Sequence, residues 1–378
     1  MPRNLCDTDH PVMPKSNFIP SIVFGVGLLL SVGAFAQGVT TTPVGIINYT
    51  IAAGTQQAPK ITSVYFSLTG QPANAGATTG RISAVGSATF GCQGAGWAAG
   101  GLSAAATPYF LRVTSGAAAG TTWQISTTTA NTADTVTVLN NGVNLTGLGI
   151  TASSSTGDTF ELFPAPTLAS LFGTNLPVQG TAQAAGKLAG GTSSTVADTI
   201  SVWNGAIWLT FYYDTGLGWW KRDVDGTESA NSRNNFVIRP DTCVLIARKG
   251  DAVTLRSIGR APASALKARY LSGGSAGVAL FPITNTLSAL NLQSLPGWVG
   301  IANTSGQNVG SADQVSVWDG TAWLSFYYDT TAASPRWRRV GTGADSNSFT
   351  IQTPDRPFMI QKAGAGAGSA FVSQARPY

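Results

Sequence analysis

Asp198-Thr-Ile-Ser-Val-Trp-Asn-Gly-Ala-Ile-Trp-Leu-Thr-Phe-Tyr-Tyr-Asp214 returns further along the chain as Asp313-Gln-Val-Ser-Val-Trp-Asp-Gly-Thr-Ala-Trp-Leu-Ser-Phe-Tyr-Tyr-Asp329, without a gap. Such self-similarity marks an internal duplication. It continues through Trp220 and Arg222 against Trp337 and Arg339, Phe236 and Ile238 against Phe349 and Ile351, and Pro240-Asp241 against Pro354-Asp355. Asn204-Gly205 and Asp319-Gly320 are two-residue signals of a tight hairpin, whose central residues both need positive φ. A turn on those residues pairs Val202 with Ile207 and Ile200 with Leu209. One sheet face then carries Ile200, Val202, Ile207, Leu209, Phe211 and Tyr213, and its counterpart Val315, Val317, Ala322, Leu324, Phe326 and Tyr328. These apolar faces should cover a core.

The opposite faces are aromatic and partly polar: Trp203, Trp208, Thr210 and Tyr212 in the first copy, Trp318, Trp323, Ser325 and Tyr327 in the second. Third strands are predicted around Trp219–Arg222 and Arg336–Arg339, and buried fourth strands at Val244–Ile246 and Phe358–Ile360. From Gly38 to about Pro164 the pattern changes, with strands predicted at Ile46–Ile51, Thr62–Leu68, Tyr109–Thr114, Thr122–Ser126, Thr135–Leu139 and Thr159–Phe163. Short helical turns are predicted at Thr167–Phe172 and Leu287–Leu292, and the Gly364–Gly368 run reads as a flexible tail.

The expected architecture is therefore all-β: a small N-terminal β-barrel or sandwich domain over 37–164, then two homologous antiparallel β-modules over 165–272 and 273–378. Composition agrees, because only 10% of the 378 residues are charged while Gly alone numbers 45. Roughly a quarter charged is usual for soluble domains. Gly-rich, charge-poor chains of this kind favour short strands and turns over helices.

Residues 1–36 read as a secretory signal: Lys15, an apolar stretch from Ile19 to Val32, and Ala34-Phe35-Ala36 before Gln37. Met13 makes a more usual signal start, so residues 1–12 read as an upstream extension. No later segment could span a bilayer as a helix. Cleavage after Ala36 removes His10 and Cys6, and with them the chain's single histidine. Ser-His-Asp and Cys-His catalysis and His-containing zinc sites are then excluded. Only Glu161 and Glu228 remain as glutamates. Losing Arg3 and Lys15 takes the basic count from 22 to 20, and losing Asp7 and Asp9 takes the acidic count from 17 to 15, so the net charge stays +5.

Cys92 and Cys243 survive in a compartment that permits disulfides. They read either as a bridge from the N-terminal region to the first module or as two buried thiols. Pro357 stands where the second copy would need the equivalent of Cys243.

The opening Thr40-Thr41-Thr42-Pro43-Val44-Gly45 resembles that of an uncharacterised, exported, β-rich protein family of verrucomicrobial, Gram-negative bacteria. Ser115–Thr121, Leu168–Gly173, Gly191–Thr195 with Ala197-Asp198, and the Trp-rich hairpin with its Pro-Asp turn carry the same resemblance. It implies export and an envelope setting, in the periplasm, on the outer surface or outside the cell. It supplies no activity.

The tentative ligand-binding residues are the aromatic faces, Trp203, Trp208 and Tyr212 with Trp318, Trp323 and Tyr327, which could stack on sugar rings beside Arg222 and Arg339. Packing against the rest of the protein is the stronger reading, since large aromatic patches are usually covered. Asp223-Val-Asp225-Gly226 with Glu228 offers oxygen ligands for a hard cation but reads better as an Asp-Gly turn, so no metal is expected. Ser264-Ala-Leu-Lys267 matches S-x-x-K without the downstream partners of that motif. Gly94–Gly100 lacks the strand, helix and acid of a nucleotide loop, so no cofactor is expected. Asp198 with Asp313 and Asp214 with Asp329 could suggest paired acids, but strand termination explains them better.

The expected function is an exported, non-catalytic structural or adhesive envelope protein. The alternative is carbohydrate binding through the Trp/Tyr faces, and the third reading is a carboxylate-dependent polysaccharide-degrading enzyme. An envelope component or polysaccharide is the expected partner, nucleic acid is not, and the oligomeric state is open.

Overall fold

The computed structural model describes residues 44–66, 78–181, 186–204, 207–223, 230–240, 242–260, 266–271, 280–283, 290–294, 312–319, 322–331, 333–351, 358–361 and 369–374. Residues 1–36, the tail glycines and Leu287 lie outside these. In chain order the strands begin with β1 (Val44–Ile51) and β2 (Lys60–Tyr65). Then come β3 (Thr79–Arg81), β4 (Ala84–Val85), β5 (Thr89–Gly91), β6 (Tyr109–Val113), β7 (Thr122–Gln124), β8 (Thr135–Thr137) and β9 (Thr159–Pro164). The helix α1 (Leu168–Phe172) precedes β10 (Thr199–Trp203), β11 (Trp208–Asp214), β12 (Trp219–Arg222), β13 (Cys243–Arg248) and β14 (Val253–Arg260). The last group is β15 (Leu266–Leu271), β16 (Leu280–Ile283), β17 (Leu290–Asn291), β18 (Gln314–Trp318), β19 (Trp323–Asp329), β20 (Arg336–Arg339), β21 (Thr350–Ile351), β22 (Phe358–Gln361) and β23 (Ser369–Gln374).

The fold is all-β and sandwich-like, and among the described residues no sheet closes into a barrel. A five-stranded sheet runs β12-β11-β10-β13-β2 and a second runs β20-β19-β18-β22-β16, so each strand of one has its counterpart in the other. Two-strand ribbons β1-β14 and β15-β23 accompany them.

Strands β1 and β2 do not belong to the N-terminal domain in which the sequence pattern placed them. β2 pairs with β13 over Tyr65↔Cys243 to Lys60↔Arg248, and β1 pairs with β14 along its whole length. Tyr49, Ile51, Val64 and Phe66 share one core with Leu168, Phe172, Ile200, Val202, Phe211, Trp220 and Ile246. Each large side chain so buried is worth roughly 1.5–3 kcal/mol. The first module thus starts at β1, is interrupted after β2, and resumes at α1. The interruption is a sandwich of a four-stranded sheet β3-β9-β6-β7 and a three-stranded sheet β4-β5-β8, closed over Phe90, Trp97, Leu111, Trp123 and Phe160.

Resumption is marked locally. Thr167 caps α1 through a reciprocal bond with Ser170, and Gly173 ends it at φ 87°, a conformation suited to glycine. The carbonyl of Gly173 accepts the indole N–H of Trp220 at 2.8 Å, tying the helix to the sheet.

The hairpin register also differs from the two-residue turn. Val202 pairs with Leu209 and Ile200 with Phe211, and Val317 with Leu324 and Val315 with Phe326. The reason is the first turn residue's side chain. Asn204 Oδ1 accepts the Ile207 N–H at 2.9 Å while the Asn204 N–H donates to Ile207 O, and Asp319 and Ala322 make the same pair of bonds. The loop is therefore longer and the pairing shifts by two residues. A two-residue shift leaves every strand side chain on its original face. Ile207 and Ala322 leave the core faces for the loops, where both are exposed, Ile207 by 52%.

Candidate functional site

The outward face of the first sheet is built from cross-strand pairs. Trp203 faces Trp208, Ser201 faces Thr210, Thr199 faces Tyr212, and Tyr212 faces Lys221. The second sheet repeats the order with Trp318 and Trp323, Ser316 and Ser325, and Tyr327 and Arg338. In both, the tryptophan rings meet edge to face at 5.5 Å, inclined by 65° and 61°. Edge-to-face contact is the arrangement that the ring quadrupoles favour. The hydroxyl pairs lie 3.0 and 2.8 Å apart.

A carboxylate fixes the cation beside each tyrosine. Asp214 lies 3.4 Å from Lys221, whose ammonium sits 5.8 Å from the centre of the Tyr212 ring. Asp329 Oδ2 accepts Arg338 Nε at 2.6 Å, and its Oδ1 accepts both the amide and the hydroxyl of Thr331. Bonds to Thr331 first, and then to Arg338, hold the Asp329 carboxyl down at about 2.

The six aromatic side chains do not form flat open platforms. Trp203, Tyr212 and Tyr327 are buried, at 9%, 7% and 9% exposure, while Trp208, Trp318 and Trp323 are half-buried. In the first sheet the accessible ring is that of Trp208, with Trp203 bracing it. The indole N–H groups of Trp203 and Trp318 are buried without a hydrogen-bond partner.

Beside Tyr212 the first face opens into a groove of about 380 Å³ floored by Thr199, Thr210 and Ala247 and walled by Asp223, Lys249 and Gln56. Asp223 accepts the Ser194 hydroxyl at 2.8 Å, and Lys249 Nζ donates to the Ser194 carbonyl. Burial pulls the Lys249 amine below the ordinary lysine range, against the opposing pull of Asp198 and Asp223. Gln56 and Lys249 come from loops and carry no sequence motif, so pattern reading passed over them. By sequence alignment the second copy has Val340 and Ala363 where the first has Asp223 and Lys249.

The other candidates have structural duties. Asp198 is sealed from solvent, where its carboxylate bonds Arg248 and accepts the amides of Ala189 and Lys249. Asp313 is likewise buried. Asp214 Oδ1 accepts the amides of Gly216 and Leu217 and so closes the β11-β12 turn. Lys267 donates to the carbonyls of Ala117 and Gly120, and Ser264 lies outside the described residues. So do Asp225, Gly226 and Glu228. Among the described residues no three His, Cys, Asp or Glu come together as a metal site.

Gly94, Gly96 and Gly100 all have positive φ and shape a loop that turns Trp97 into the sandwich core. Cys92 is a free, buried thiol in the same core, pushed up to about 12 by burial and by the charge of Asp134. The side chain of Cys243 is outside the description. No helix of the described residues is long and apolar enough to cross a membrane.

In comparison with known proteins, the chain matches no family model, no curated protein and no solved structure.

Proposed function

We propose that the chain is an exported, non-catalytic adhesive or structural protein of the bacterial envelope, whose two five-stranded sheets hold polysaccharide against Trp208 and Trp323. The observation that carries this reading is the repetition of one outward constellation on both sheets: a braced tryptophan, a hydroxyl pair and a tyrosine beside an Asp-held cation. A sheet face that only meets water needs polar side chains alone. Large aromatic rings kept there twice, next to hydroxyls, match the two sides of a sugar, whose ring hydrogens pack on an indole while its hydroxyls bond Ser and Thr.

The non-catalytic part of the reading rests on committed acids. Asp198, Asp214 and Asp329 are each bonded to backbone or to a cation, and the chain after its leader holds no histidine. Export rests on the leader and on the family resemblance.

Affinity electrophoresis in gels containing a panel of polysaccharides tests the reading. Trp208→Ala and Trp323→Ala should each weaken retardation by at least one glycan, and the double variant should abolish it, because two linked contacts reinforce one another. A double variant with an unchanged melting temperature that is retarded as strongly as the parent would refute the polysaccharide contact. So would a parent protein that no glycan retards.

A further inference from the structure

The groove beside Tyr212 sets an exposed carboxylate, Asp223, opposite a half-buried ammonium, Lys249. Ser194 clips the two together: its hydroxyl donates to Asp223 Oδ1 at 2.8 Å, and its carbonyl accepts Lys249 Nζ. These are the charged side chains of the lining, one of each sign, and the Asp223 charge acts on the Lys249 amine against the effect of burial. The groove therefore carries no net charge.

That balance selects the ligand. A bare anion drawn to Lys249 would be repelled by Asp223, and a cation drawn to Asp223 would be repelled by Lys249. A neutral group rich in hydroxyls meets neither penalty, because each hydroxyl can donate to the carboxylate or accept from the ammonium. The bonds to Ser194 leave room for this, since a carboxylate and an ammonium each bond several partners at once and Ser194 takes one position on each.

The site is shaped before any ligand arrives. The loop between β1 and β2 brings Gln56 and Pro59 to the rim, pinned by the Gly54 amide on the Gly250 carbonyl at 3.0 Å and by a turn from Thr55 to Ala58. Gly54 lets the loop lie so close, because a Cβ there would collide with the Arg248 carbonyl. A site already held in place loses less freedom on binding.

The floor continues the tryptophan face. Thr210 follows Trp208 on the same side of β11, roughly 7 Å along the strand. Thr199 on β10 and its partner Ala247 on β13 complete the floor. The volume of about 380 Å³ falls in the range of roughly 300–1,000 Å³ typical of small-molecule sites. The second sheet lacks this chemistry. Val340 holds the place of Asp223, its amide bonding the Ser325 carbonyl as the Asp223 amide bonds that of Thr210, and Ala363 aligns with Lys249.

We propose that the groove is a subsite for a neutral hexose unit, whose neighbouring hydroxyls bridge Asp223 and Lys249, and that it gives the first sheet a specificity the second does not share. The choice of a sugar among polyols rests on the polysaccharide reading above.

Calorimetric titration of the full chain with neutral hexasaccharides of glucose, mannose and galactose tests the assignment, with oligogalacturonate and chitosan oligomers as the charged comparison. At least one neutral hexasaccharide should bind at least tenfold more tightly than either charged ligand. Asp223→Ala and Lys249→Ala should each weaken it at least tenfold, and Val340→Ala, at the matching place on the second sheet, should leave it unchanged. Lys249→Ala also loses a structural bond, so Asp223→Ala, at an exposed position and checked for an unchanged melting temperature, is the deciding variant.

Parent affinity in folded Asp223→Ala would overturn the groove, and if Trp208→Ala weakens the same ligand the tryptophan reading survives. Loss in Asp223→Ala with none in Trp208→Ala or Trp323→Ala would keep the groove and remove the tryptophan reading. Tighter binding of either charged ligand would overturn neutrality, and absence of binding by every neutral hexasaccharide would overturn the subsite.

Discussion

Single residues in this chain show how polar groups are made to serve a mostly apolar, charge-poor fold. Asp329 is the clearest case for a pH measurement. Its folded pKa of about 2 lies below the ordinary carboxylate value of roughly 3.9, so the unfolded chain takes up the proton more readily. Its stabilising contribution is complete above about pH 4 and is lost as the pH falls through 2. Melting temperatures of the parent and of Asp329→Asn, compared between pH 7 and pH 2, should therefore converge with acid, the parent losing more. Parallel curves would show that the carboxylate does not hold Thr331 and Arg338 as described. The buried Asp198–Arg248 pair has the opposite environment, closed to water on both sides. None of this was legible from residue type, since Asp at a strand end predicts a turn and says nothing about which cation it meets.

Individual strands were largely legible, because alternation and β-branched or aromatic runs depend on local sequence. The strands at 109–113, 122–124, 135–137, 159–164, 219–222 and 336–339 stand where the pattern put them. The faces were legible too, and for a physical reason: the register error was two residues, which side-chain alternation absorbs. What the pattern could not supply was the Asn204 and Asp319 side chains taking over one turn bond. Stability measurements separate the two registers. Ile200→Ala, at a fully buried position, should lower unfolding free energy by about 2–5 kcal/mol in urea titration. Ile207→Ala should change it by less than about 0.5 kcal/mol. Equal losses would restore the tight turn and put Ile207 back on the core face. The aromatic faces emerged from the same alternation, whereas the groove beside Tyr212 did not, because Gln56 and Lys249 reach it from separate loops.

At the scale of the molecule, the interrupted module is what linear reading missed. The segments at 44–65 and 79–164 both read locally as short strands separated by turns, so nothing in the chain marks where one structural unit stops and another starts. The partner of β2 is β13, far along the sequence, and that pairing follows from completing the first core and not from any local signal. The first module is complete only with β1 and β2 as structural members. Hydrogen exchange of the parent and of Ile246→Ala, read strand by strand, tests this most directly. Amides of 60–65 should exchange as slowly as those of 243–248. Both sets should accelerate together, by roughly thirtyfold or more for a loss of about 2 kcal/mol, while 109–113 keeps its parent rate. Exchange at 60–65 that ignores Ile246→Ala and follows 109–113 would contradict the interrupted module.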